Sequence, residues 1–167
     1  MGRGINLYCP NCGFNDTFDL GVGFSYPRVF VDTMEKAKSG RLGKKLKKLL
    51  IKHPEVVVDP EIVLMVCPKC HWLFHGMDLT AYIPKPGYDR SKEPKRVWSS
   101  ASRYNDLDYV SPADFRLHYV VIQKYDHSCE RCGTELELIH DNEIGQRIIP
   151  CRKCGTAMMT RIVSNWD

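Results

Sequence analysis

The sequence lacks the long apolar runs that mark membrane proteins and secreted precursors. No stretch of its 167 residues approaches the roughly eighteen consecutive apolar residues that a membrane-spanning helix needs. The first ten residues, MGRGINLYCP, hold no apolar core of the signal-peptide kind. We therefore expect a cytoplasmic chain, and its 43% hydrophobic and 26% charged residues predict a globular protein rather than a disordered one.

Catalytic motifs are also lacking. The sequence contains no H-E-x-x-H, no G-x-S-x-G, no phosphate-binding loop and no deaminase-type zinc motif with its adjacent glutamate. We accordingly assign no catalytic residue and no residue that binds an organic cofactor. An enzyme that acts through a surface without a recognisable motif stays open as an alternative.

Unpaired cysteines are the third absence. All eight cysteines fall into C-x-x-C pairs. Without an export signal, disulfides are not expected, and thiols in a reducing compartment remain available to metal ions. A redox-active C-x-x-C would be single, whereas this spacing recurs four times. The sequence therefore predicts metal ligation by Cys9, Cys12, Cys67, Cys70, Cys129, Cys132, Cys151 and Cys154.

Two such pairs can close one tetrahedral zinc site, so we expect two zinc ions. Order along the chain favours one site from the first two pairs, residues 9–12 and 67–70, and a second site from residues 129–132 and 151–154. A crossed arrangement, in which Cys67 and Cys70 meet a C-terminal pair, is the alternative. Since cysteines fill both sites, the nearby histidines are expected to be neighbours rather than ligands: His71, His75, His127 and His140.

Glycine follows three of the four pairs, as a zinc-binding turn requires where the backbone takes a positive φ. The pair at Cys67 and Cys70 is followed by His71 instead, which makes this turn the least standard of the four.

The spacing C-x₂-C-x₁₈-C-x₂-C across residues 119–167 resembles a zinc ribbon. The earlier sequences C-P-N-C-G and C-P-K-C resemble the turns of a zinc ribbon or a rubredoxin, separated by a largely helical insertion. Taken together, the chain resembles uncharacterised zinc-ribbon proteins of bacteria, and this resemblance implies fold and metal but no activity. The likeness to rubredoxins implies an alternative, in which the first site holds iron and transfers electrons.

We expect an α+β fold of two small zinc-ribbon-like β modules. The first module spans 1–83 with a helical insertion at about 25–54, a basic proline-containing linker spans 84–103, and a C-terminal ribbon spans 104–167. Within the linker, Trp98 is the isolated aromatic residue expected to dock on a neighbouring surface. The sequence predicts helices at 27–39 and 43–53, a short strand and turn within 14–24, and strands at 56–58, 62–66, 147–150 and 157–163.

The formal net charge of +4 does not indicate a polyanion partner, because eight zinc-bound thiolates would bring the total to about zero. A local basic segment is more informative. Its cations could contact nucleic acid, an acidic protein or a membrane surface, or they could simply be solvated: Arg41, Lys44, Lys45, Lys47, Lys48 and Lys52. The residues together favour a non-catalytic adaptor or interaction protein that contacts a protein or a nucleic acid.

Overall fold

The computed structural model describes residues 2–92 and 107–166, with Trp166 described by its backbone alone. Helices and small antiparallel sheets confirm the predicted α+β class. The helices are α1 (Tyr26–Ser39), α2 (Lys44–Lys52) and α3 (Pro112–His118). The strands are β1 (Gly2–Tyr8), β2 (Asn15–Leu20), β3 (Val57–Val58), β4 (Ile62–Val66), β5 (Leu73–Met77), β6 (Ala81–Pro84), β7 (Tyr119–Gln123), β8 (Glu137–Ile139) and β9 (Met159–Trp166). No helix in these described ranges has the length and apolar character needed to span a membrane.

The chain divides into two compact units, each assembled from separated segments. The ribbon unit consists of Met1–Phe24, Glu61–Asp78 and Asp126–Asp167, in so far as these are described. The insertion unit takes the described parts of Ser25–Pro60 and Leu79–Tyr125. These segments differ from the predicted modules, because residues 1–83 and residues 104–167 each contribute to both units. Of the predicted linker, residues 93–103, with Trp98, lie outside the described residues.

The ribbon unit contains two sheets of the same design. In the first, the hairpin β1–β2 gains β9 on the free side of β1, giving the order β2-β1-β9. In the second, the hairpin β4–β5 gains β8 on the free side of β4, giving the order β5-β4-β8. Each third strand is distant in sequence from its hairpin, so both sheets depend on long-range pairing.

One apolar core lies between these two sheets. Ile5 and Leu7 of β1 belong to the same buried cluster as Leu64 of β4 and Ile139 of β8. Alternate residues of β4 face a second cluster, in which Val63 packs with the first cysteine of two C-x-x-C pairs. Because β4 is buried on both faces, its sequence IVLMV is continuously apolar rather than alternating.

The insertion unit contains the predicted helical insertion. Helix α1 ends at Gly40, whose φ of 89° lies in the left-handed region that terminates many helices. Helix α2 buries Leu46 and Leu50 and exposes its lysines except Lys47, which is half-buried. The helices predicted at 27–39 and 43–53 are confirmed to within one residue at each end. Downstream, α3 carries a capping box between Ser111 and Asp114, and a third sheet has the order β3-β6-β7.

The strand predicted at 147–150 is wrong. A 3₁₀ helix occupies Asp141–Gln146, and the following residues form no named strand. Only Pro150 pairs, in an isolated bridge with Ala157. Ile149 is buried but Ile148 is 83% exposed, so the apolar pair does not mark a strand buried on both faces.

Candidate metal centres

All four C-x-x-C pairs adopt one turn geometry. The backbone N–H of the residue after the second cysteine donates to the carbonyl of the first cysteine, and the N–H of the first cysteine donates to the carbonyl two residues beyond the second. The first bond joins Gly13 to Cys9 (3.0 Å), His71 to Cys67 (2.9 Å), Gly133 to Cys129 (2.8 Å) and Gly155 to Cys151 (2.8 Å). The second joins Cys9 to Phe14 (2.8 Å), Cys67 to Trp72 (3.0 Å), Cys129 to Thr134 (2.8 Å) and Cys151 to Thr156 (2.8 Å). Each turn therefore points its two sulfurs to one side.

The turn at Cys67 keeps this geometry despite its histidine. The φ of His71 is 58°, close to the 69° to 74° of the glycines at the equivalent positions, Gly13, Gly133 and Gly155. A β-carbon is disfavoured in this left-handed region, whereas glycine has no such penalty. The least standard turn is therefore regular in hydrogen bonding and strained in backbone conformation.

We expect His71→Gly to raise the free energy of unfolding of the metal-loaded protein by about 0.5–1 kcal/mol, because it removes the left-handed penalty. Chemical denaturation in the presence of metal measures the change. His71→Ala is the control, since alanine removes the imidazole and keeps the β-carbon. A His71→Gly variant no more stable than His71→Ala would contradict the strain argument.

The eight sulfurs gather into two sets of four. Site 1 consists of Cys9, Cys12, Cys151 and Cys154, and site 2 consists of Cys67, Cys70, Cys129 and Cys132. The prediction that each site closes within its own half of the chain is wrong. The sites are nested along the chain, because the outer two pairs form site 1 and the inner two pairs form site 2. The crossed arrangement for Cys67 and Cys70 is the one observed.

Strand pairing explains the nesting. The turns at Cys9 and Cys67 join the two strands of the hairpins β1–β2 and β4–β5. The turns at Cys129 and Cys151 precede β8 and β9. Since β9 pairs with β1 and β8 with β4, each of these turns lies beside the hairpin turn at the same end of its sheet. The long-range pairing of the strands therefore decides which cysteines meet.

The sulfur geometry fits a four-coordinate ion. In site 1, Sγ–Sγ distances are 3.4 Å for Cys9–Cys154 and 3.6 Å for Cys12–Cys151. In site 2 the equivalent distances are again 3.4 Å (Cys67–Cys132) and 3.6 Å (Cys70–Cys129), and Cys70–Cys132 is 3.8 Å. Four sulfurs that surround an ion tetrahedrally at about 2.3 Å lie about 3.8 Å apart. All four sulfurs of each set lie within 4.8 Å of one another. Two Cys₄ sets can thus each hold one metal ion.

The turns that precede β8 and β9 each contain a cysteine whose thiol ionises more readily than usual. The Thr134 side chain, which has its hydroxyl 3.3 Å from the Cys132 sulfur, and the Thr134 backbone lower the pKa of Cys132 to about 6. The Thr156 side chain and backbone lower the pKa of Cys154 to about 6 in the same way.

The hairpin turns at Cys9 and Cys67 each contain a cysteine whose thiol ionises less readily than usual. The pKa of Cys70 is raised to about 12: a backbone hydrogen bond from Trp72 lowers it, but loss of solvent and the three neighbouring cysteines outweigh that bond. The pKa of Cys12 is raised to about 12 by the same balance, with the backbone bond from Phe14. Four negative sulfurs repel one another unless a cation lies among them, so full ionisation and metal binding are linked.

Positive side chains lie over aromatic rings between the turns. The guanidinium carbons of Arg131 and Arg152 lie 4.3 Å and 4.2 Å from the centre of the Trp72 ring. Arg152 also lies 4.5 Å from the centre of the Phe14 ring, and Lys153 lies 5.2 Å from it. A divalent ion with four thiolates carries a net charge of about −2, which these cations offset. The contacts also join the turns of site 1 to those of site 2.

The sulfur sets contain no histidine among the described residues. The His75 ring packs edge-on against Phe18, with centroids 5.9 Å apart. His127 Nε2 lies 2.7 Å from the Asp78 carbonyl oxygen.

His140 lies between two carboxylates. Its Nδ1 is 3.4 Å from Glu61, and its Nε2 is 3.5 Å from the buried Asp78. This polar cluster, together with an ion pair between Arg3 and Asp141, was not signalled by any sequence motif. His75, His127 and His140 thus contact other side chains and the backbone, and neither sulfur set includes them.

Comparison with known proteins identified no relative of this chain. No family model, no curated protein and no solved structure matches the chain. The two Cys₄ sets are therefore interpreted from their own geometry.

Proposed function

We propose that this chain is a non-catalytic interaction protein whose two Cys₄ sites hold structural zinc ions. The observation that carries the proposal is the closure of both sites: each set supplies four sulfurs to one point. A catalytic zinc keeps one coordination position for water or substrate, whereas four cysteines fill a tetrahedron.

The placement of the sites supports a structural role. Each site ties a hairpin turn to a strand that follows far along the chain, so metal binding and strand pairing reinforce each other. Site 1 joins residues separated by 145 positions, as Cys9 and Cys154 are. Closing such long loops without a crosslink costs chain entropy, which metal–sulfur bonds offset.

The insertion unit supports the proposal of an interaction protein. Two segments of the chain leave the ribbon unit and form a unit with its own helices and sheet. A chain that combines a metal-stabilised unit with an inserted second unit suits an interaction protein, and the cations of α2 provide one surface for a partner.

Iron is the main alternative ion, because sulfur geometry alone accepts either metal. Each site takes one Cys-Pro turn, residues 9–12 in site 1 and residues 67–70 in site 2, so the turns give the same ligand set to both sites. Zinc is proposed because closed tetrahedral Cys₄ sets are the usual form of structural zinc sites.

Elemental analysis and visible absorption of the freshly purified protein test the proposal. We expect two zinc ions per chain and a colourless solution, since zinc has a filled d shell. Visible ferric–thiolate absorption that bleaches reversibly on reduction would contradict it and favour electron transfer.

A further inference from the structure

Positive charge is concentrated around α2. Residues 36–54 contain eight Lys or Arg side chains and no Asp or Glu. Helix α2 is anchored by Leu46 and Leu50, which are only 2% and 6% exposed. At 3.6 residues per turn, the lysines of α2 other than Lys47 fall on the side opposite these leucines, and half-buried Lys47 lies between the two sides. Helix α2 therefore presents most of its positive charge on one face.

This arrangement works against the stability of the helix. Lys44 and Lys45 lie in the first turn of α2, where the helix dipole disfavours positive charge, and the sequence of that turn contains no acidic residue. The spacings of Lys44 to Lys48 and of Lys48 to Lys52 place like charges one turn apart, which is also unfavourable. Within the described residues, Lys44, Lys47 and Lys48 take part in no ion pair. An external anion would relieve this repulsion.

Two observations narrow the class of anion. A helix that binds a membrane surface inserts an apolar stripe, but the apolar stripe of α2 is already buried within the insertion unit. Protein interfaces usually have aromatic anchors at their centre, and residues 36–54 contain no Phe, Tyr or Trp. Ile51, which is 69% exposed beside these cations, is a single aliphatic side chain rather than an apolar stripe or an aromatic anchor. Cations with so little apolar surface among them fit a repeating phosphate backbone best.

We propose that the lysine face of α2 binds the phosphate backbone of nucleic acid, largely without regard to base sequence. The proposal rests on the proposed function, since it names the partner class of the interaction protein. The nine residues of α2 span about 13 Å. This length exceeds the Debye length of about 8 Å at physiological salt, so phosphates close to the helix respond to the local cations rather than to the net charge of the protein.

The test uses the metal-loaded full chain and a fluorescently labelled 20-mer, both as DNA duplex and as single-stranded RNA. We expect binding at low salt. With four phosphates neutralised, affinity should fall about a hundredfold between 50 and 200 mM monovalent salt, because bound phosphates release their counterions. Changing Lys44, Lys45, Lys47 and Lys48 together to Gln should lower affinity at least tenfold, and two unrelated base sequences should bind within about threefold of each other.

A charge-matched variant distinguishes an effect of the lysine face from an effect of the protein's total charge. It changes four exposed cations outside residues 36–54 to Gln: Lys85, Lys92, Arg116 and Lys124. We expect its affinity to stay within about threefold of the unmodified chain. Gln has nearly the helix propensity of Lys, and unchanged circular dichroism and metal content confirm that both variants fold.

Equal losses in the two quadruple variants would overturn the proposal, as would absence of binding at 50 mM salt. Binding to anionic phospholipid vesicles but to neither nucleic acid would also overturn it. These failures differ from failure of the proposed function, which is decided by the identity of the bound metal.

Discussion

Replacing Leu64 by Ala is expected to lower the free energy of unfolding by about 3–5 kcal/mol, the range for fully buried leucines. Leu64 is 0% exposed and belongs to a cluster with Ile5 of β1 and Ile139 of β8. A cavity there removes contacts from both ribbon sheets at once. Hydrogen exchange should therefore show faster exchange at the amides of both sheets, although neither metal site is altered chemically.

Leu117→Ala provides the matched control. Leu117 is 63% exposed on α3, so its truncation should change stability by less than about 0.5 kcal/mol. If Leu64→Ala accelerates exchange in β4, β5 and β8 but leaves β1, β2 and β9 unchanged, the two sheets do not share a cooperative core.

The local features of this fold could be predicted from the sequence. The spacing C-x-x-C forces each pair of sulfurs into one turn, and Gly13 marks the positive φ that the turn requires. Helix α2 followed from leucines at helical spacing, and Pro54 marks its end. These signals lie within a few residues of the structure that they specify.

Which C-x-x-C pairs share a site could not be deduced from their order along the chain. It depends on which hairpin β8 and β9 join, and neither strand's sequence identifies its partner. The sequences of the turns themselves carry one signal of the pairing. The turns at Cys9 and Cys67 have proline after the first cysteine and an aromatic residue five positions after that cysteine, at Phe14 and Trp72. Those at Cys129 and Cys151 end in Cys-Gly-Thr.

Each site takes one turn of each kind. The Cys-Pro turns join the strands of hairpins, and the Cys-Gly-Thr turns precede the added strands. This repeat shows that the unit is two copies of one design, but it does not by itself decide between nested and alternating partners. That choice requires the register of β1 with β9 and of β4 with β8.

Counting bound zinc in two double variants tests the nested sites most directly. Both variants replace two cysteines by serine, so they lose the same number of thiols. Cys9→Ser with Cys151→Ser removes two ligands from site 1. Cys9→Ser with Cys67→Ser removes one ligand from each site. Native mass spectrometry after metal loading and removal of weakly bound ions measures the result.

The nested arrangement predicts one zinc ion retained by the Cys9 and Cys151 variant, because site 2 keeps all four ligands. It predicts none retained by the Cys9 and Cys67 variant, because each site keeps three ligands and loses tight binding. The reverse result, with one ion retained when Cys9 and Cys67 are replaced and none when Cys9 and Cys151 are replaced, would contradict the nested sites and restore pairing by order along the chain.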